Sequence, residues 1–303
     1  MRSTKIQILL AGALLSMPIF AAEANTVDSP MMGYVVRPEV PELRAMLGIP
    51  GAARFSDPLP LPEGTTAAEV APGHAWVLVV RAADAVAYLP GSQSVVELPT
   101  GGGVPAAWAF SPTGSRLALS YPDRGAVVLL SGLPSTPKLE ATLTIAAFDA
   151  FAAGDNGAFV YRTGNRMFTG DGHFLYESES LGPLAFEPGS DSVLVFDGSN
   201  SSLMEVGVTS ASRRVVATGL AFTPKSLFAG RDRIYAGSSA AGTVALIEYA
   251  DGSIASQSVN VSRIVPSGIA GTMLVSFDSD GPAWLVNSQG VSFVPAVVKQ
   301  AVE

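Results

Sequence analysis

Cysteine is absent from the 303-residue chain, and histidine occurs only twice, at His74 and His173. The first absence excludes disulfides, thiolate metal ligands and a cysteine nucleophile. The second excludes a three-histidine zinc site and leaves at most one imidazole for a Ser-His-Asp arrangement. Charge is sparse too: 15% of residues are charged, with 18 Lys and Arg against 26 Asp and Glu and a formal charge of −8. An acidic chain without a basic patch repels phosphate backbones and anionic lipid, so nucleic acid is excluded as a partner. No Gly-x-Ser-x-Gly elbow occurs, and "TGGGVP" (100–105) lacks the Lys-Ser/Thr that a phosphate loop requires. Helical spacing is scarce throughout, and past residue 24 no stretch approaches the roughly 18 uninterrupted apolar residues of a membrane span.

The one long apolar run is at the N-terminus. Arg2 and Lys5 precede "IQILLAGALLSMPIFAA" (Ile6 to Ala22), and Ala22-Glu23-Ala24 fits a small-x-small cleavage site. That pattern predicts a secretory signal peptide over 1–24 and a mature start near Asn25. The mature chain then has 16 Lys and Arg against 25 Asp and Glu, a formal charge of −9. Its expected location is the periplasm or the extracellular medium, with no membrane insertion after the signal is removed. Without cysteine in an oxidising compartment, packing and ring closure must carry stability. With 48% hydrophobic residues the chain has the material for a large core.

What the sequence does contain is a repeat. "AFSPTGSRLALSYPDRGAVVLL" (109–130) reads as a strand end, a Ser-Pro-Thr-Gly turn, a strand, a polar turn and another strand. The Ala-Phe dipeptide recurs with Phe at 110, 148, 186 and 222, spacings of 38, 38 and 36 residues. A proline phase continues it at Pro72, Pro112, Pro188, Pro224 and Pro266. Six units therefore begin near residues 67, 105, 145, 182, 219 and 261. Each holds two apolar runs split by a short polar turn, such as "WVLVV…AVAYL" and "SVLVF…LMEV", and most close with a further run such as "RRVVAT". Many runs are continuously apolar, which suits strands covered on both faces.

Four short strands per ~38 residues, repeated, is the pattern of an all-β β-propeller. Six four-stranded blades are expected, with the single propeller domain over 43–303 and an extended arm over 25–42. The strand candidate Leu43 to Ile49 is expected to complete the last blade, closing the ring with an N-terminal strand. A seventh blade follows if that strand and Val291 to Val297 find separate sheets.

"AFSPTGSRLALS" resembles the SPDG-x-x-L repeat of bacterial WD40-like and YVTN-type propellers of exported proteins, the TolB-like repeat family. The resemblance covers six units over roughly 67–297 and implies a propeller in an exported setting. It carries no catalytic residues across. The chain departs from the WD40 pattern in having no Trp-Asp dipeptide.

The turns between second and third strands hold most of the candidate site residues. Asp84, Asp123, Arg124, Arg162, Asp197, Asp278 and Asp280 are expected to share one rim of the disc, with Arg166 beside them. "SFDSDGPAWL" (276–285) is similar to the sialidase Asp-box with one extra residue before Gly281. Asp278 and Asp280 also make Ca²⁺ the one cofactor worth naming, although two carboxylates fall short of the usual six to eight oxygens. Otherwise no cofactor, metal or catalytic residue is expected, and His74 and His173 read as turn-edge residues. The expected function is that of an exported, non-enzymatic, monomeric scaffold for a protein or cell-envelope partner. The alternative is a lactonase-like or glycan-processing enzyme, or a small-ligand binder, with a carboxylate-lined channel.

Overall fold

The apolar runs of each unit form antiparallel strands, and the computed structural model arranges them as seven sheets around a central channel. It describes residues 30–37, 40–145, 147–259, 261, 263–277 and 282–296. The sequence expectations for 1–24, Asp278 and Asp280 lie outside these residues. The sheets are blades of a β-propeller. Blade I holds β1 (Met31–Arg37), β2 (Glu42–Leu47) and β3 (Arg54–Phe55). Blade II holds β4 (Thr65–Val70), β5 (Val77–Arg81), β6 (Ala85–Leu89) and β7 (Ser94–Glu97). Blade III is β8 (Ala107–Phe110), β9 (Leu117–Tyr121), β10 (Ala126–Ser131) and β11 (Lys138–Thr144). Blade IV is β12 (Ala150–Ala153), β13 (Phe159–Thr163), β14 (Arg166–Thr169) and β15 (Phe174–Glu177). Blade V is β16 (Leu181–Phe186), β17 (Ser192–Asp197), β18 (Ser202–Gly207) and β19 (Arg213–Thr218). Blade VI is β20 (Ser226–Ala229), β21 (Arg233–Ser238), β22 (Thr243–Glu248) and β23 (Ile254–Ser258). Blade VII is β24 (Val265–Pro266), β25 (Met273–Phe277), β26 (Ala283–Asn287) and β27 (Gly290–Val294).

The second and third strands are the buried heart of each blade. All five residues of β9 are buried, as are Val77 to Val80 of β5 and Ala85 to Tyr88 of β6. Such strands are sandwiched between neighbouring blades, so both faces are apolar and the period-2 signal fades. Outer strands keep an exposed face, as in β11, where five of seven residues are exposed. The buried residues fall into seven clusters, one at each blade-to-blade interface of the described chain. Turns interlock on the face where first strands end. Trp76 Nε1 donates to Gly114 O at 3.0 Å, and Asp155 accepts from Thr113 N at 3.0 Å and Gly189 N at 3.3 Å, tying blades III, IV and V. Gly114, at φ +71°, admits the close approach of Pro72: a Cβ there would lie 2.4 Å from the Pro72 oxygen.

Two expectations about the N-terminal region are corrected. The ring has seven sheets rather than six, because residues inside the expected arm form β1 and pair with β2 from Arg37↔Glu42 to Met31↔Leu47. The Leu43 to Ile49 candidate therefore does not complete the last blade; β24 to β27 make that blade from their own unit. The N-terminal sheet instead closes the ring as a wedge. One face packs Met32, Val35 and Met46 against Leu274, Leu285 and Val294 of blade VII. The other packs Tyr34, Val36 and Ala45 against Val77, Val79 and Val86 of blade II. Seen from sequence, 31–37 looked like an arm because prolines flank it; its "MGYVV" core is apolar on both faces for the reason β9 is.

Among the described residues blade I has no first strand. A Cβ on Gly33 of β1 would lie 2.6 Å from His74 and 2.9 Å from Gly268 N. Both belong to turns where the first strands of blades II and VII end, so β1 starts at that face and runs opposite to β4 and β24. It occupies a second-strand position, and β2 and β3 follow as third and fourth. The Ala-Phe marker proves less regular than the unit count. Phe110 and Phe186 end the first strands of blades III and V, whereas Phe148 and Phe222 precede those of blades IV and VI.

Candidate functional site

The first strands of blades II to VII enclose a central cavity of about 830 Å³. Its walls are mainly apolar, with Trp108, Phe110, Phe148, Phe151, Phe186 and Phe228 contributing rings. Phe148 and Phe151 meet edge to face with centroids 5.0 Å apart. Four charged side chains line it: Glu69, Asp149, Lys225 and Arg263. Glu69 accepts from Trp108 Nε1 of blade III and pairs with Arg263 of blade VII, so it links the blades on either side of its own toward the axis. Asp149 accepts from Gly164 N at 2.5 Å and faces Arg162 at 3.7 Å. The channel is thus aromatic rather than carboxylate-lined, because the first strands of four units carry Phe or Trp where they turn toward the axis. This corrects the expectation attached to lactone or glycan chemistry: its two lining carboxylates are both engaged inside the protein.

Of the rim candidates, Asp84, Asp123, Arg124, Arg162 and Asp197 are among the described residues; they stand at or beside turns between second and third strands and do not converge on a common site. Asp84 is held by Arg81 of its own turn, with bonds of 2.7 and 2.6 Å. That hydrogen bond lowers the Asp84 pKa from its ordinary value. Asp123 and Arg124 stand exposed in a 3₁₀ turn, Pro122–Arg124, which ends at Gly125 in the left-handed region. The Arg124 guanidinium lies over the Tyr121 ring, 3.9 Å from its centroid. Arg162 donates to Gly164 O at 2.7 Å, and Arg166 pairs with Glu177 at 3.2 Å on the blade's outer strands. Asp197 is buried instead of presented. It accepts from Tyr176 Oη at 2.7 Å, Ser178 Oγ at 2.5 Å, Ser199 N at 3.0 Å and Asn200 Nδ2 at 3.2 Å. Burial pushes its pKa up, but these hydrogen bonds prevail and hold it below the ordinary value. The Tyr176 hydroxyl, buried beside that carboxylate, is pushed up to about 12.

Among the described residues no group of three or more His, Asp or Glu side chains is placed to hold a metal ion. His173 is exposed beside Asp171, as its turn position implied. His74 is different: it is buried, accepts from Tyr34 N on Nδ1 at 3.0 Å and meets Pro266 O through Nε2 at 2.6 Å. Of the tryptophans, Trp76 is a core anchor, whereas Trp108 lines the channel. Sequence reasoning missed Glu69, Asp149, Lys225 and Arg263. A usable signal existed, since Asp149 and Lys225 each stand immediately ahead of a unit's first strand.

No protein-family description matches the chain, and no curated protein matches it. Its structure is similar to solved propellers. The Cps50 (Swd1) β-propeller domain of Myceliophteria thermophila aligns at 8% identity over 80% of this chain and 88% of that one, with a TM-score of 0.56. The RRP9 WD40 repeats align at 12% identity over 79% and 83%, with a TM-score of 0.53. PorZ of Porphyromonas gingivalis, a bacterial surface component of the type-IX secretion system, aligns at 11% identity over 90% of this chain and 39% of that one, with a TM-score of 0.56. At these identities the likeness shows the fold alone: a β-propeller.

Proposed function

We propose that the chain is an exported, non-enzymatic propeller scaffold that binds a protein or cell-envelope partner through the face carrying the second-to-third-strand turns. One observation carries the reading. Among the described residues, and Asp123 apart, the carboxylates of those turns and of the channel serve as internal acceptors, with Asp197 taking four hydrogen bonds and Asp84, Asp149 and Glu69 each engaged by neighbours. What that face leaves for contact with a partner is exposed and mixed in charge, foremost Asp123 and Arg124 in the 3₁₀ turn. Such a surface suits recognition by complementary charge. The WD40 propellers among the structural neighbours support a protein as the partner, and PorZ supports a surface setting. The basic-apolar-small pattern of residues 1–24 supports export. The protein acts as a monomer in this reading.

The test uses the full chain expressed with an affinity tag. Fractionation should recover a processed protein beginning near Asn25 outside the cytoplasm. A partner retained from the envelope fraction by the wild type should be lost on charge reversal at Asp123 and Arg124, with the melting temperature unchanged. Retention in the cytoplasm, an unaffected partner, or turnover of lactones or glycosides at ordinary enzyme rates that is lost in Asp123→Ala would overturn the reading.

A further inference from the structure

The four charged side chains that line the central channel sum to zero, but they are not all paired. Glu69 is paired with Arg263 and bonded to Trp108, and Asp149 faces Arg162 and the Gly164 amide. Lys225 has no such partner among the described residues. It stands immediately ahead of β20, where its backbone N donates to Gly237 O at 2.8 Å, on the side of the second-to-third-strand turns. Arg263 occupies the matching place ahead of β24 in the neighbouring blade. One uncompensated ammonium therefore sits at the mouth of a cavity walled by phenylalanines, in a chain whose formal charge is −8.

We propose that the channel is a binding site for a small apolar, aromatic organic acid, its ring system among Phe148, Phe151 and Phe228 and its anionic group on Lys225. The cavity, about 830 Å³, lies within the range of about 300–1,000 Å³ that drug-sized ligands occupy. Aromatic walls favour a flat apolar body by edge-to-face contact. They offer few hydrogen-bond partners to a sugar, which would lose water without replacement. A carboxylate at Lys225 gains a charge-assisted bond at the mouth of the channel. The site concerns the channel interior, so it stands or falls independently of the partner surface on the rim.

The probes are 2-naphthoate and its neutral counterpart 2-naphthamide, titrated calorimetrically into the full chain. The site predicts one naphthoate per chain, bound more tightly than naphthamide and weakened by added salt. Lys225→Met should weaken naphthoate about tenfold and leave naphthamide unchanged. Phe151→Ser should weaken both probes. Because Lys225 is exposed and unbonded, its variant should melt with the wild type. Equal affinity for the two probes, naphthoate affinity unaffected by Lys225→Met, or no binding of either probe at millimolar concentration would overturn the proposal.

Discussion

The Tyr34 amide of the N-terminal sheet donates to Nδ1 of His74, in the first turn of the next blade, at 3.0 Å. Because Nδ1 accepts, the proton of the neutral ring is on Nε2, which donates to Pro266 O of the last blade at 2.6 Å. One imidazole thus joins the blades on either side of the seam to the sheet that fills it.

His74→Ala should therefore cost more than an ordinary buried side chain of its size. It leaves a buried amide and a buried carbonyl without partners, about 2–4 kcal/mol in all. Thermal unfolding should show a midpoint roughly 5–10 °C lower.

The same residue gives a pH dependence with a definite sign. Burial lowers the His74 pKa from its ordinary 6.5, outweighing the raising effect of its bond to Pro266 O, and the Tyr34 N–H donated to Nδ1 also favours the neutral ring. Above 6.5 the ring is neutral folded and unfolded, and its contribution is fully present. As pH falls from that value through the lower folded pKa, the unfolded chain takes up the proton first and the contribution is lost. Denaturant titrations at pH 7.5 and pH 5.5 should show a loss of stability that is smaller in His74→Gln.

Asp197 and Asp84, alike in sequence as acidic turn residues, should behave unlike each other. Asp197→Ala strands the buried Tyr176 hydroxyl and three further donors, and should cost about 3 kcal/mol. Asp84→Ala removes a half-exposed ion pair and should cost about 0–1 kcal/mol. Chemical denaturation of the two variants makes the comparison.

Two left-handed glycines separate close approach from backbone conformation alone. Gly125, at φ +56°, has open space around its missing Cβ, and Gly125→Ala should cost about 1 kcal/mol. At Gly114, with Pro72 O only 2.4 Å from the Cβ position, the same change should cost about 3 kcal/mol, read from the same denaturation curves.

Much of the fold is legible in the sequence because apolar pairs split by polar turns can only be stacked blades. "VLVV…AVAYL" became β5 and β6, and "SVLVF…LMEV" became β17 and β18. The seventh sheet was legible only as an alternative, which required Leu43 to Ile49 and Val291 to Val297 to fall in separate sheets, because β1 lies outside the repeat phase and begins among prolines. Sequence cannot tell an acidic turn residue that is presented, such as Asp123, from one folded inward, such as Asp197. That difference depends on Tyr176 and Ser178 of the adjacent blade, which no local pattern announces. His74 was illegible for the same reason, since its partners are 40 and 192 positions away.

The central claim, that an N-terminal sheet wedged beside His74 closes a seven-bladed ring, is tested most directly by amide hydrogen exchange over residues 31–37. The account predicts protection comparable to that of Val77–Arg81 in β5, with Tyr34 among the slowest amides and markedly faster in His74→Ala. Exchange of 31–37 at the rate of an unstructured peptide, while the other strands stay protected, would contradict it and restore a six-bladed ring with a free arm.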